Sequence, residues 1–129
     1  MGRKYAIRDQ EALHFVTLTV INWIDVFIRN EYKAIIIDSL KYCQSNKGLR
    51  VHAYCIMTSH IHLILSTEQG HELSDVIRDF KSFTSRNIKE AIENNNKESR
   101  QEWMMKTFEW YGTNNKRNKT FNYGNNIIN

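Results

Sequence analysis

The chain has 129 residues, of which 41% are apolar and 12% aromatic, and this length and composition are typical of one globular domain with an ordinary core. No apolar run approaches the ~20 residues that a membrane helix needs, and the polar stretch from Met1 to Asp9 lacks the apolar segment of a secretion signal. We therefore expect a cytoplasmic protein that contacts no membrane. The net charge of +4 is mild evidence for a polyanionic partner.

The first predicted elements are a strand and a helix. Residues His14 to Ile21 are rich in β-branched and aromatic side chains, which favour a strand buried on at least one face. A helix is expected next, with Asn30 as its N-cap and Gly48 at its end. Its apolar stripe recurs at helical spacing and comprises Tyr32, Ile35, Ile36, Leu40 and Cys43. We expect this helix to cover one face of the sheet.

Two further strands and a long helix follow. Residues Arg50 to Met57 alternate as a second strand, and the Thr58-Ser59 link joins them to a third strand that runs from His60 to Ser66, so the two strands form a hairpin. After Gly70, apolar residues recur every three or four positions over about six helical turns; they are Leu73, Val76, Ile77, Phe80, Phe83, Ile88, Ala91 and Ile92. A short last helix is expected around Trp103, Met104, Phe108 and Trp110.

The order strand, helix, strand, strand, helix predicts an α+β domain of the ferredoxin-like type, in which an antiparallel sheet carries helices packed on one face. We assign this single domain to residues 1–112. Residues 113–129 are basic and Asn-rich, and we expect them to form an irregular tail that is disordered or loosely packed. Cys43 and Cys55 fall in apolar patterns and are expected to be buried free thiols.

His60 and His62 carry the functional interpretation. Alternate residues of a strand point to the same face, so the two imidazoles are expected to project side by side, with their Cα atoms about 7 Å apart. That arrangement suits two ligands of one metal ion, while Ile61, Leu63 and Leu65 face the core. The pair alone is weak evidence, because strands also contain paired histidines that only pack or form hydrogen bonds.

The sequence around this pair resembles a known family. The resemblance lies in the run Met57-Thr58-Ser59-His60-Ile61-His62-Leu63-Ile64 and in the segment from Leu73 to Thr84. Both are similar to the single-tyrosine HUH transposases of the insertion-sequence type, in particular the REP-associated tyrosine transposases, whose usual form of the first run is Met-Pro-X-His-X-His-Leu. The resemblance extends from about Lys4 to Lys119. Thr58 stands where the family usually has proline, which should alter the turn rather than the metal pocket.

The resemblance implies a DNA transposase that binds single-stranded hairpin DNA, cuts one strand and rejoins it. It also implies that His60 and His62 bind a divalent ion, Mg²⁺ or Mn²⁺, and that a tyrosine hydroxyl attacks the scissile phosphate. The phosphotyrosine conserves the energy of the phosphodiester, so no nucleotide cofactor is expected. Family members act as dimers with composite sites, which implies a homodimer here.

The nucleophile is not evident from the sequence. In the family, the tyrosine and a third metal ligand come from a helix near the carboxyl end, usually similar to Tyr-Ile-His-X-Asn-Pro-Val, and nothing in this sequence matches it. One hypothesis is a truncated and catalytically inactive copy, produced by a frameshift. Tyr111 is a weak substitute, because Asn115 is the only candidate oxygen donor four residues after it.

A polar stripe on the long helix is the candidate DNA-binding surface. Its members recur at spacings of three and four opposite the apolar stripe; they are Arg78, Lys81, Ser82, Ser85, Arg86 and Lys89. The tail residues Lys116, Arg117 and Lys119 could add nonspecific electrostatic binding. A solvated helix face is at least as common, and Asp79 and Glu90 dilute the positive charge.

Two alternatives to a transposase stay open. The first is a non-catalytic DNA- or RNA-binding module that keeps the fold and the basic face. The second is a structural Zn²⁺ site at the histidine pair. The sequence has no Gly-rich phosphate loop and no arguable Ser/His/Asp set, which disfavours an ATPase or a hydrolase.

Overall fold

A computed structural model of the chain describes residues 12–114 and 126–129. It contains three strands and three helices in the order β1 (His14–Thr19), α1 (Asn30–Asn46), β2 (Leu49–Ile56), β3 (His60–Thr67), α2 (Leu73–Glu93) and α3 (Gln101–Asn114). Two short 3-10 turns, Ile21–Trp23 and Val26–Ile28, lie between β1 and α1. The predicted α+β class is confirmed, as is the order of elements from β1 to α2.

The sheet is antiparallel, with the strand order β1-β3-β2. The central strand β3 alternates as predicted: Ile61, Leu63 and Leu65 are at most 2% exposed and belong to one hydrophobic core with apolar residues of α1 and α2 such as Leu40 and Phe80. The other face of β3 therefore points away from these two helices.

The bounds of α1 differ slightly from the prediction. Arg29, with extended backbone angles of φ −90° and ψ 134°, is the N-cap, and no side-chain hydrogen bond caps the helix. The prediction that Asn30 is the cap is therefore wrong, because Asn30 is already the first helical residue. The predicted end is confirmed: the helix stops at Asn46, and Gly48 follows in the left-handed region with φ 70°.

The terminal residues are packed rather than loose. Thr19 and Asn129 exchange two backbone hydrogen bonds of 2.9 Å, and the Ile21 N–H donates to the Ile127 carbonyl at 2.7 Å. Ile127 and Ile128 are each 1% exposed. The prediction of loose packing is wrong for these two residues, because both bury apolar side chains while Ile127 and Asn129 pair with backbone groups at and just after the end of β1. Residues 115–125 of the predicted tail lie outside the described residues.

A buried carboxylate links separate segments of the chain by hydrogen bonds on the helical side of the sheet. The side chain of Glu98 is fully buried and accepts hydrogen bonds from Arg29 Nε at 2.8 Å, Tyr32 Oη at 3.0 Å and Arg100 Nε at 3.2 Å. Arg100 also donates to a carboxylate oxygen of Asp25 at 2.6 Å. These donors hold the pKa of the Glu98 carboxyl at about 2, against the cost of burying it. The network fixes the segment between β1 and α1 against the start of α3.

The two cysteines are free thiols, as predicted. Cys43 is buried in α1, and burial raises the pKa of its thiol. Cys55 is exposed, so the prediction of burial is wrong for it; it lies on β2, at the edge of the sheet, opposite His62 on the face away from α1 and α2. None of the helices in the described ranges has the length and apolarity needed to cross a membrane.

Candidate functional site

The two histidines of β3 project together from the face that points away from α1 and α2. Their ring centroids are 4.8 Å apart, and the ring planes are inclined at 81°. Both side chains are half-buried. The central strand thus presents two neighbouring imidazoles at a surface that a ligand can reach, as the alternation of the sequence predicts.

This spacing fits two ligands of one cation. For a metal–nitrogen distance of about 2.1 Å, two imidazoles bound at angles between about 90° and 110° have centroids roughly 4.6–5.3 Å apart. The observed separation of 4.8 Å lies in this range. The part of the chain that the structure describes contains no group of three His, Cys, Asp or Glu side chains that could hold a metal ion, so His60 and His62 would supply two ligands.

Hydroxyl groups orient both rings. The Nδ1 atom of His62 lies 3.1 Å from Thr17 Oγ1, and the Nδ1 atom of His60 lies 3.3 Å from Ser59 Oγ. An imidazole that donates through Nδ1 carries its lone pair on Nε2, which is the arrangement that metal-binding histidines usually have. Thr17 is not among the residues predicted for the site, because only the register between β1 and β3 places it opposite His62.

Two aromatic rings flank the imidazole pair. The ring centroid of Phe15 lies 5.6 Å from that of His62, and the ring centroid of Trp23 lies 5.6 Å from that of His60. Both aromatic side chains are about two-thirds exposed. Neither Phe15 nor Trp23 is among the residues predicted for the site. The alternation of β1, which places Phe15 and Thr17 on one face, is the sequence signal that could have indicated Phe15.

The predicted polar stripe of α2 is only partly accessible. Ser85 is fully buried and accepts a hydrogen bond from the Ile127 N–H at 3.0 Å, so it does not lie on an accessible face. Arg78 forms ion pairs with Asp75 and Asp79.

The other members of the stripe divide into two groups. Lys81 and Lys89 are half-buried, and burial lowers the pKa of both amines. Ser82 and Arg86 are exposed. Since α2 packs against the core-facing side of the sheet, the structure does not bring this stripe together with the imidazoles. The tail residues Lys116, Arg117 and Lys119 lie outside the described residues.

Tyr111 lies among packing residues. It is half-buried against the hydrophobic core, and its ring contacts Trp110 at a centroid distance of 4.9 Å. Its helix, α3, packs mainly against α2. The structure therefore places this weak nucleophile candidate with the helices and not with the imidazole pair.

Comparisons with known proteins identify the family of the chain. The model of the family described as Transposase IS200 like matches residues 10–123. The crystal structure of a putative transposase from Deinococcus radiodurans R1 is similar in fold, with a TM-score of 0.52 and 18% sequence identity over 73% of this chain and 72% of that chain. No curated protein matches. Because the family model spans most of the sequence and includes both histidines of β3, the chain belongs to the IS200-like transposase family.

Proposed function

We propose that this protein binds single-stranded hairpin DNA and acts on one strand of it at the imidazole pair, as a metal-assisted DNA strand transferase. The observation that carries the proposal is the separation of 4.8 Å between the rings of His60 and His62, on a face that DNA can reach. The membership of a transposase family supports DNA as the substrate.

The roles of the residues follow from their geometry. His60 and His62 would hold a divalent ion, Mg²⁺ or Mn²⁺, while Ser59 and Thr17 orient the two rings. When bound, such an ion polarises the scissile phosphate and stabilises the negative charge that develops on it. Two imidazole ligands suit Mn²⁺ better than Mg²⁺, which prefers oxygen ligands.

Strand transfer also needs a nucleophile. A tyrosine hydroxyl would attack the phosphorus, lose its proton, form a phosphotyrosine ester and release a DNA hydroxyl; a second DNA hydroxyl would then reverse the step. The energy of the original ester is retained, so no nucleotide is consumed. Tyr111 is the candidate to test, although its packing against Trp110 favours the second possible function, a DNA- or RNA-binding module without strand cleavage.

One assay separates these functions. The protein is incubated with Mn²⁺ and a labelled hairpin oligonucleotide that has single-stranded ends, and the products are separated under denaturing conditions. A labelled protein band shows a covalent adduct and supports the transferase; retention of the oligonucleotide in a native gel without such a band supports the binding module. A protein that neither retains nor cleaves the oligonucleotide contradicts the proposal.

Variants assign the residues in this assay. We expect His60→Ala and His62→Ala to abolish the adduct and the stimulation by Mn²⁺. His71→Ala is the matched control, because His71 is an exposed histidine outside the pair. An adduct that persists in Tyr111→Phe removes Tyr111 as the nucleophile.

A further inference from the structure

Four rings form a continuous row across the open face of the sheet, in the order Phe15, His62, His60, Trp23. Neighbouring centroids are 5.6, 4.8 and 5.6 Å apart. The two central rings are the proposed cation ligands, and the two outer rings are 68% and 66% exposed. A single exposed aromatic ring is common on protein surfaces, but here one lies on each side of the same pair.

The backbone at the Trp23 end of the row is in an unusual conformation. Asn22 and Trp23 have φ values of 57° and 54°, in the left-handed region that a bulky residue rarely adopts. The turn is held by a hydrogen bond of 2.9 Å from the Trp23 N–H to the Val20 carbonyl. Strain of this kind persists where the surroundings enforce it and is concentrated at functional sites. Here it presents a large ring to solvent beside His60.

The chemistry of the row matches a nucleobase. Every base has flat faces that stack on aromatic side chains, and these faces are available in single strands but are already stacked in a duplex. A phosphate lies between the sugars of neighbouring bases. Two bases on the outer rings would therefore place the phosphate between them over the imidazoles.

We propose that Phe15 and Trp23 are base-stacking residues that hold the two nucleotides on either side of the phosphate bound at His60 and His62. This inference rests on the proposed function, and it adds the residues that select a single strand and position its phosphate. Neither residue takes part in bond making, so both are positioning residues.

The first test compares two probes in fluorescence anisotropy with Mn²⁺ present. Both are labelled hairpin oligonucleotides with a single-stranded overhang, and in the second every overhang nucleotide lacks its base. We expect Phe15→Ala and Trp23→Ala each to weaken binding of the first probe by about tenfold and to leave binding of the second unchanged. Trp103→Ala is the matched control, because Trp103 is an exposed aromatic residue on α3. Circular dichroism checks that each variant is folded.

The second test detects stacking directly. The chain has three tryptophans, so a variant with Trp103→Phe and Trp110→Phe keeps Trp23 as its only tryptophan. The unlabelled first oligonucleotide should quench its fluorescence, and the oligonucleotide without overhang bases should not. The conservative variant Trp23→Phe should retain most of the affinity that Trp23→Ala loses.

The results distinguish this inference from the proposed function. The stacking role is wrong, while the proposed function stands, if both alanine variants bind the first probe as tightly as the wild-type protein does and the fluorescence of Trp23 is not quenched. If the wild-type protein does not bind the first probe at all, both are wrong. Selective loss of affinity for the probe with bases, together with quenching, supports the stacking role.

Discussion

The Nδ1 atom of His62 lies 3.1 Å from the hydroxyl oxygen of Thr17, its cross-strand neighbour on β1. This contact joins the central strand to its neighbour at the position where the proposed cation would bind. It restrains rotation of the imidazole and, with Nδ1 as donor, leaves the Nε2 lone pair for a metal ion.

The first prediction is that Thr17→Val lowers the affinity for Mn²⁺ by about 10- to 100-fold, because the ring of His62 loses its orienting hydrogen bond while the shape of the side chain is kept. Titration calorimetry measures this affinity. Thr19→Val is the control, because Thr19 lies on β1 like Thr17 but is opposite His60 and not opposite His62. Equal affinities for Mn²⁺ in the wild type and Thr17→Val would contradict the role of the contact.

The second prediction concerns the buried Glu98 and acid stability. Its pKa of about 2 in the folded protein lies below the ordinary value of 4.5, so the carboxylate stabilises the fold above about pH 5. That contribution, on the order of 3 kcal/mol, is lost as the pH falls from about 4.5 towards 2, since the unfolded chain binds the proton first.

The variant Glu98→Gln tests the direction of this pH dependence. It should lower the free energy of unfolding at pH 7 by about 3 kcal/mol, because Arg29 loses its charged partner and Arg100 keeps only Asp25, and it should make the decline below pH 5 shallower. Urea denaturation at several pH values measures both effects. Glu102→Gln is the control, because Glu102 is 82% exposed. A variant with the same acid profile as the wild type would show that Glu98 is not the group responsible.

The third prediction concerns the packed terminal residues. Ile127→Ala should lower the free energy of unfolding by about 3 kcal/mol, because it leaves a cavity beside the core. Ile28→Ala, at a residue that is 55% exposed, should change it by less than about 0.5 kcal/mol. Thermal or urea unfolding provides the comparison. If the two variants unfold alike, the terminal residues do not contribute to the core.

The fourth prediction concerns the turn after α1. Gly48 has φ 70°, and a Cβ atom at this position would meet the ring of His71, so Gly48→Ala should cost about 1–3 kcal/mol of stability. Gly70→Ala is the control, since Gly70 has φ 89° but no atom within 4 Å of an added Cβ. Combining Gly48→Ala with His71→Ala should recover the part of the cost that comes from the clash. If the double variant recovers no stability, the whole cost of Gly48→Ala comes from the backbone conformation.

The fifth prediction compares two arginines of α2 in DNA binding. Arg86 is exposed, whereas Arg78 is paired with Asp75 and Asp79, so a phosphate would have to compete with these carboxylates for Arg78. Arg86→Ala should weaken binding of single-stranded DNA several-fold. The number of counterions released on binding, read from the salt dependence of the affinity, should fall by less than about one. Arg78→Ala should have a smaller effect. If neither variant changes the salt dependence, the stripe is a solvated helix face.

The sequence by itself determined the features that depend on local periodicity. The two-residue alternation of β3 placed His60 and His62 on one face, and the three-to-four-residue period of α2 placed Leu73, Val76 and Phe80 in the core. Both follow from backbone geometry alone, which is why the element order and the histidine pair were predictable.

Only the tertiary structure decided which distant residues meet. The register of β1 against β3 brings Thr17 and Phe15 beside His62. The pairing of the terminal residues with the chain after β1 places the Ile127 N–H against the hydroxyl of Ser85, 42 positions away. Glu98 is a charged residue that is nevertheless buried, because Arg29, Tyr32 and Arg100 supply the hydrogen bonds that offset its desolvation. Such contacts depend on how the elements pack against each other, and no periodicity within a single segment specifies them.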